Sequence, residues 1–287
     1  MRTEPLGVIG ASSLVGIDLI GLAVQRGWMV QAFSRQDRQS DSCQGMQWHL
    51  LPLNGKGEVP QQVAHWICLA PIWTLPEHLP GLTALGVRRL VALSSTSRFA
   101  KADSAVPEER AVSARMAHAE ASVMAWAEAN GVEWTILRPT LIYGHGRDHN
   151  VSAIARMARR WGVVPVCGEG KGLRQPVHVA DIAQACLVAV EAPCAGRALQ
   201  LSGGETLSFR EMVRRIFVAQ SLKPRIWHVS RPVWRLCAWL TGLVGRPQLL
   251  GAGLRMNIDQ VFAHDEAKAL LAYRPRGFNP ELGDLRK

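Results

Sequence analysis

A glycine-bounded turn near the N-terminus is the clearest chemical feature of the chain. The segment Gly10-Ala11-Ser12-Ser13-Leu14-Val15-Gly16 stands where an apolar strand is expected to turn into a helix. Glycine at both ends permits a tight turn and close helix packing, and a helix N-terminus presents N–H groups and a positive dipole end to a pyrophosphate. The placement predicts a dinucleotide-binding turn, with an ordinary strand-to-helix turn as the alternative. The predicted contacts are Gly10, Ser12, Ser13, Leu14, Val15 and Gly16.

The end of the second predicted strand is the position that decides ribose recognition. An acidic residue there would bond the 2′-hydroxyl of NAD(H), whereas a nearby arginine would accept the 2′-phosphate of NADP(H). The strand ends Phe33-Ser34-Arg35, and Asp37 is close by. Because a planar guanidinium forms bidentate bonds to phosphate, Ser34 and Arg35 predict a preference for NADP(H) over NAD(H). Arg35 as a solvated loop charge is the alternative.

The hydrophobic pattern supplies the strands and helices that must position these residues. Strands are predicted at residues 6–10, 28–34, 66–70, 89–94 and 133–138, and helices at residues 14–26 and about 107–130. The alternation predicts an α/β fold of βαβ units with a doubly wound parallel sheet, the Rossmann arrangement.

The spacing becomes less regular from about residue 151 onward. Glycine- and proline-rich stretches lie at residues 162–176 and 242–253. We therefore expect residues 1–150 to form an NAD(P)-binding Rossmann domain, to which later segments return, and residues 151–287 to form mainly a smaller C-terminal substrate lobe.

Charge and cysteine content narrow the class of partner. The chain has 33 Lys and Arg against 23 Asp and Glu, a formal net charge of +10, which favours an anionic partner by long-range attraction. The arginines are dispersed and no nucleic-acid motif is present, so phosphorylated small molecules or an anionic membrane surface fit better than nucleic acid. The six cysteines form no Cys-x-x-Cys pair, so no metal site is expected. Without a recognisable signal peptide or apolar span, the expected location is cytoplasmic.

Further motifs resemble those of a known family. They are Leu69-Ala70-Pro71, Leu93-Ser94-Ser95-Thr96, and Leu137-Arg138-Pro139-Thr140 followed by Ile142-Tyr143-Gly144. With the glycine turn, in which Ser13 replaces the middle glycine, they resemble the extended short-chain dehydrogenase/reductases of the NAD-dependent epimerase/dehydratase family, over nearly the whole chain. The resemblance implies that Thr96 orients the reacting carbonyl or alcohol. It also implies cofactor contacts from Leu69, Ala70, Pro71, Ser94 and Pro139.

Two arginines match substrate-binding segments of the same family. Arg174 opens the stretch Arg174-Gln175-Pro176-Val177-His178-Val179-Ala180-Asp181, and Arg255 precedes Asp265-Glu266-Ala267-Lys268-Ala269. The resemblance, which is strongest to nucleotide-sugar epimerases, implies that both arginines hold a substrate diphosphate and that Tyr143 lies at the substrate. Charge-assisted forked bonds suit that role, and ion pairs within the protein are the alternative. His178 is interpreted as a structural hydrogen-bonding residue.

The family's proton-transferring Tyr-x-x-x-Lys pair is missing. If Glu120 is aligned with the acidic residue that usually follows the lysine, Val112 and Met116 stand at the two positions, and neither transfers a proton. Arg115, beside the lysine position, is expected to touch the cofactor ribose. The other polar candidates for proton transfer, each with a plain solvated role as the alternative, are His118, His145, Asp148 and His149.

Together these features predict an NADP(H)-preferring protein similar to epimerases, dehydratases and reductases. It is expected to act on a nucleotide sugar or a related small molecule by nicotinamide hydride transfer. The competing hypothesis is a non-catalytic NADP(H) sensor or accessory subunit, which the missing Tyr/Lys pair favours.

A second kind of contact is indicated near residues 232–244. Val233, Trp234, Leu236, Cys237, Leu240 and Val244 recur at helical spacing and are flanked by Arg231, Arg235 and Arg246. Such a pattern is typical of a basic interfacial helix that touches a membrane surface, provided that the apolar face is exposed. Packing onto its own domain, or onto a sister subunit in a homodimer, is the alternative.

Overall fold

Strands and helices alternate along the computed structural model, which describes residues 4–51, 62–192, 194–242, 248–280 and 282. The strands are β1 (Pro5–Ile9), β2 (Met29–Ser34), β3 (Met46–Leu50), β4 (His65–Cys68), β5 (Arg89–Leu93), β6 (Glu133–Pro139), β7 (Ile142–Tyr143), β8 (Val164–Cys167), β9 (Leu173–Arg174), β10 (Val177–His178), β11 (Arg197–Leu201), β12 (Leu207–Ser208) and β13 (Ile226–Val229). The α-helices are α1 (Leu14–Gln25), α2 (Leu79–Ala84), α3 (Ser97–Ala100), α4 (Pro107–Ala129), α5 (Val151–Trp161), α6 (Val179–Glu191), α7 (Phe209–Ala219), α8 (Arg231–Gly242), α9 (Gln248–Arg255) and α10 (Asp265–Leu271). Short 3₁₀ segments lie at Gln39–Asp41 and Ile72–His78.

Seven parallel strands form the central sheet, in the order β11-β6-β5-β4-β1-β2-β3. The inner strands are apolar on both faces because helices cover both sides of the sheet, as is usual for parallel sheets. The strand order reverses at β1, which has β2 on one side and β4 on the other. Ligands of doubly wound folds bind outside the carboxyl ends of the strands at such a reversal.

The predicted Rossmann fold is confirmed, with element ends displaced by one or two residues. The long helix begins at Pro107, where the missing N–H of proline costs nothing. Strands β3 and β11 were not predicted. β11 completes the sheet beside β6 although it follows residue 151.

Helices pack on the two faces of the sheet in separate apolar layers. On one face α1 packs against α6, around residues such as Leu19 and Ile182. On the other face α4 packs against the 3₁₀ segment Ile72–His78, around residues such as Leu75 and Val123. Because α6 comes from beyond residue 151, the C-terminal half of the chain contributes to the layers around the central sheet.

Helices α2, α3 and α10 pack against elements of these layers, and most of the other elements form a smaller region beyond the carboxyl ends of the strands. Short sheets pair β10 with β7, β12 with β9, and β13 with β8. Helices α5 and α7 pack over them around Met212 and Phe217, and α8 contacts α9. Of the residues placed earlier in an interfacial helix, Val244 and Arg246 lie outside the described residues. Within the part of the chain that the structure describes, no helix is both long and apolar enough to cross a membrane.

Candidate functional site

An open cleft of about 890 Å³ lies at the carboxyl ends of β1, β2 and β4, where the strand order reverses. Among its lining residues are many of those predicted from sequence to hold a cofactor: Gly10, Ser12, Ser13, Ser34, Arg35, Leu69, Ala70 and Pro71. Segments far apart in the sequence therefore converge on one groove of a size that suits a dinucleotide.

The turn from β1 into α1 has the geometry of an anion site. Gly10 has φ of +76°, and a Cβ there would lie 2.6 Å from the backbone nitrogen of Ala70, so a larger residue is strained in two ways. The Ser13 hydroxyl turns back to accept the Gly16 N–H at 3.2 Å and caps the helix. The backbone N–H groups of Leu14 and Val15 have no acceptor among the described residues, and the first turn of α1 holds no acidic side chain. These features fit a pyrophosphate.

The ribose end of the cleft is formed by the end of β2. Ser34 is buried, and its hydroxyl accepts the Gln36 N–H at 3.1 Å. Arg35 lines the cleft and makes no ion pair with any described carboxylate, while Asp37 accepts the Gln39 N–H instead. Glu77, from the 3₁₀ segment Ile72–His78, is the acidic residue on the cleft wall. A free guanidinium at this end suits a phosphate better than a hydroxyl.

A second cavity, of about 570 Å³, opens beyond β5 and β6 and reaches into the smaller region. Hydroxyl groups from Ser95, Thr96, Ser97 and Thr140 line it on the sheet side. Its basic residues come from four separate parts of the chain: Lys101, His149, Arg174 and Arg255. Since the carboxyl ends of β4 and β5 are adjacent, this cavity lies beside the first cleft, and its basic lining suits an anionic ligand.

Arg174 is a buried cation on the wall of this cavity. It is 4% exposed, and its Nη1 donates to the carbonyls of Leu173 and Ile258 at 2.7 and 2.8 Å. Burial, and then the charge of Arg255, lower the pKa of Arg174 to about 10. The charge of Asp259 partly opposes both effects, and Nη2 donates to the Arg255 carbonyl. Arg174 forms no ion pair within the described residues, so backbone carbonyls hold a buried guanidinium on the cavity wall.

Arg255 is only partly available to a ligand because it is already paired. Its Nη1 donates to Glu109, a buried carboxylate of α4 that also accepts the Ser104 hydroxyl at 2.6 Å. Burial alone would raise the pKa of Glu109, but the hydrogen bonds from Ser104 and Arg255 lower it overall. The structure thus places Arg255 on the cavity wall and, at the same time, in the internal ion pair considered as its alternative role.

The predicted catalytic residues occupy different surroundings. Thr96 lines the second cavity, and its N–H and hydroxyl donate to the Pro139 carbonyl at 3.0 and 3.2 Å. Arg115 is exposed and lies over the ring of Trp73, 4.3 Å from its centroid, beside the cofactor cleft. Val112 and Met116 both pack in the apolar layer of α4. No proton donor therefore stands at the positions of the family's pair.

The other polar candidates for proton transfer also lie in different surroundings. His149 lines the second cavity, whereas His118 is exposed on α4. His145 bonds Asp18 at 2.9 Å, and Asp148 accepts the N–H groups at the start of α5. His178 caps α6 by accepting the Ala180 N–H through Nδ1 at 3.2 Å.

Tyr143 lies apart from both cavities. It is buried, donates its hydroxyl to the Gly277 carbonyl at 3.4 Å and accepts the Asn279 N–H at 3.3 Å. Its ring packs edge-on against Phe278. In this geometry Tyr143 holds the C-terminal segment, and its predicted role at the substrate stays a prediction.

A buried charge cluster supports the sheet side of the site. Glu120 is 0% exposed and accepts hydrogen bonds from the Ser94 hydroxyl at 2.6 Å and from Arg138 at 2.6 and 3.1 Å. Arg98 adds a third charged contact. Ser94, predicted to touch the cofactor, is thereby bound to α4, while the carbonyl of Pro139, predicted likewise, accepts hydrogen bonds from Thr96; neither residue is among those that line the cleft. Arg98, Lys101 and Glu109 were missed from sequence; the one usable signal was the Ser97-x-x-x-Lys101 spacing directly after Thr96.

The fold and the two adjoining cavities define a doubly wound, Rossmann-type α/β protein with a dinucleotide-sized cleft. The family model of the NAD dependent epimerase/dehydratase family matches residues 73–201. The resemblance to that family, expected from the sequence motifs, is confirmed.

Relatives of known activity and a solved structure agree with this class. The chain is 25% identical over 160 residues to UDP-glucose 4-epimerase of Vibrio cholerae (52% of this chain, 48% of the relative). It is 34% identical over 111 residues to 2-alkyl-3-oxoalkanoate reductase of Stenotrophomonas maltophilia (strain K279a) (37% of this chain, 33% of the relative). The chain thus matches half or less of the length of these curated relatives. The structure of MoeE5 in complex with UDP-glucose and NAD superposes with a TM-score of 0.69 at 20% identity, covering 96% of this chain and 94% of that chain, which shows the shared fold.

Proposed function

We propose that this protein binds NADP(H) in the cleft beside β1 and acts on a nucleotide sugar or a related anionic substrate in the adjoining basic cavity. The observation that carries the proposal is the buried Arg174, a cation without a described carboxylate partner on the wall of a cavity lined by hydroxyl groups. A buried charge of this kind is costly unless an anion neutralises it, and the diphosphate of a nucleotide sugar would do so.

The chain's own residues divide the work between the two cavities. The N-terminus of α1 and Ser12 would hold the pyrophosphate, Arg35 the 2′-phosphate, and Arg174 and Arg255 the substrate phosphates. A bound nicotinamide supplies or accepts a hydride next to the hydroxyl groups of the second cavity. We accordingly assign cofactor binding mainly to residues 1–150 and substrate binding mainly to residues 151–287.

The competing function is a non-catalytic NADP(H) sensor or accessory subunit. It is supported by Val112 and Met116, apolar residues that stand at the positions of the family's tyrosine and lysine. The enzyme is favoured by the basic cavity, because a protein that only senses a dinucleotide has no use for a second anion site.

Titration calorimetry separates these functions. We expect NADPH to bind about tenfold more tightly than NADH, because a charge-assisted pair contributes about 1.5 kcal/mol or more. Arg35→Ser should remove that difference in affinity. The control Arg38→Ser, at a residue that lies over Trp48 and outside the cleft, should keep it. UDP-glucose should bind in the presence of the preferred cofactor. Cofactor binding without binding of UDP-glucose or UDP-glucuronic acid would favour the sensor, and equal affinities of wild type for NADPH and NADH would contradict the role of Arg35.

We also propose that α8 contacts an anionic membrane surface. Val233, Leu236 and Trp239 are exposed along it, and Trp239 is 63% exposed. The chain has no Asp or Glu between Glu211 and Asp259, while exposed Arg231 and Arg235 lie on the same helix. Exposed apolar side chains among cations suit anionic lipid better than a second copy of this basic chain, which would repel.

A further inference from the structure

Charged groups from other elements surround the face of α4 where the family's tyrosine is missing. Val112 stands at that position, and Glu109 lies three residues before it, one helical turn away on the same side of α4. Glu109 pairs with Arg255 of α9, and a Cβ on Gly251 would meet the Glu109 carboxylate. The place that lacks a phenol is therefore next to a buried ion pair.

Lys101 approaches the same place from the sheet side. It follows α3, which begins directly after Thr96, and the Lys101 N–H donates to the Ser97 carbonyl at 3.1 Å. Ser97 and Lys101 are four residues apart, so a hydroxyl and an amine lie one turn apart on one side of this helix. Thr96, Ser97 and Lys101 all line the second cavity. The half-buried Lys101 amine forms no ion pair with a carboxylate in the described residues.

The surrounding charges make this amine easier to deprotonate than an ordinary lysine. Burial lowers the pKa of Lys101, the charge of Arg255 lowers it further, and Glu109 partly opposes both effects. The titratable and charged groups around the cavity belong to α4, the loop before α5, β9 and α9: Glu109, His149, Arg174 and Arg255. Arginines do not exchange protons at ordinary pH, and Glu109 stays ionised, so Lys101 and the exposed His149 are the groups left for proton transfer.

We propose that Lys101, with the Ser97 hydroxyl one turn away, transfers the proton to and from the reacting oxygen of the substrate, in place of the missing tyrosine. This inference rests on the proposed function. In the reducing direction, the carbonyl carbon gains a hydride from the reduced dinucleotide and the carbon–oxygen π pair moves to oxygen. An N–H bond of the Lys101 ammonium breaks as the O–H bond forms. The neutral amine then takes a proton from water, and in the oxidising direction it accepts the hydroxyl proton.

The kinetic test compares Lys101→Met and Lys101→Arg with Lys223→Met, a change at an exposed lysine outside the cavity. UDP-glucose and UDP-glucuronic acid, whose hydroxyl groups can be oxidised, serve as substrates with NADP⁺ or NAD⁺. Lys101→Met should lower kcat about hundredfold or more, the usual contribution of a positioned acid–base group, with KM changed only a few-fold. Wild-type kcat for oxidation of the sugar hydroxyl should rise as pH rises through the pKa of Lys101, because the neutral amine accepts the hydroxyl proton, and Lys101→Arg should lose that pH dependence. Lys223→Met should behave as wild type.

A second readout needs no turnover. Amine acetylation by acetic anhydride across a pH series, followed by peptide mass spectrometry, should give Lys101 a midpoint below that of Lys223, and UDP-glucose should protect Lys101 alone.

The outcomes separate the two proposals. Near wild-type kcat in Lys101→Met, or a Lys101 that titrates like Lys223, overturns the role of Lys101 and leaves the proposed function intact. A large loss in His149→Gln, with Lys101→Met active, assigns the proton to His149. Absence of turnover by the wild-type protein overturns the enzyme function and the proton transfer together.

Discussion

Glu120 is the residue on which the inner wall of the site depends. It brings one negative charge to Arg98 and Arg138 in a fully buried position. Glu120→Gln keeps the shape but leaves both guanidinium groups without their counter-charge, which costs about 3 kcal/mol or more for a buried pair. We expect urea unfolding at neutral pH to show that loss. Glu128→Gln, at an exposed position of the same helix, should stay within about 0.5 kcal/mol of wild type; an equal effect of both changes would contradict a buried charge cluster.

Helix α7 is held to the C-terminal segment by an ion-pair network with a definite pH dependence. Arg215 bonds Glu205 at 2.6 Å and Glu211 at 3.1 Å, and Glu205 also accepts the Phe278 N–H. Hydrogen bonds from Arg214, and then Arg215, lower the pKa of Glu211 to about 2, and the hydrogen bond from Arg215 lowers the pKa of Glu205. Folded-state pKa values below the unfolded value of about 4.3 give stability that is complete above that pH and is lost as pH falls towards about 2.

Removal of Arg215 should therefore flatten the acid end of the stability profile. At neutral pH we expect Arg215→Met to lower the free energy of unfolding by about 1 kcal/mol, since the carboxylates are a third exposed and solvent screens the pairs. The difference from wild type should shrink between about pH 5 and about pH 2, in urea titrations at a series of pH values. Arg197→Met, which loses only a loose surface pair with Glu266, is the control. A difference that stayed constant across this range would argue for lost packing instead of charge.

The whole molecule is basic, and its exposed tryptophans lie where acids are absent. Trp161, Trp227 and Trp239 are each more than 60% exposed, on α5, β13 and α8. Vesicles of phosphatidylglycerol and phosphatidylcholine in equal parts should sediment the protein, more weakly as salt is raised, whereas phosphatidylcholine alone should not. The double change Leu236→Ser and Trp239→Ser should release it, while Leu270→Ser on α10 should have no effect. A dimer in size-exclusion chromatography that the double change converts to monomer would instead assign this face to a second copy.

Local patterns were sufficient to predict five strands of the central sheet and the glycine turn from β1 into α1. Two of the signals are local in the sequence, because each involves residues within a few positions of each other. They are the apolar runs of strands buried on both faces and the glycine that the turn from β1 into α1 needs at positive φ. That is why the Rossmann fold, many of the residues that line the cleft and the long helix at Pro107 could be predicted from the sequence. Strand β11 was missed by the sequence analysis because its place beside β6 depends on a crossover of many residues.

The second cavity was decided by tertiary structure alone. Its charge balance depends on Glu109 meeting Arg255 from 146 residues away, and on Lys101 reaching a cavity whose other wall is built by α9 and β9. The spacing of residues in the sequence does not reveal how buried a side chain is or which charge lies next to it. Burial and neighbouring charge determine which lysine or arginine forms an ion pair within the protein and which faces a ligand. The sequence by itself determined the fold and the glycine turn at the start of α1, whereas only the folded chain decided which cations are paired and which face the second cavity.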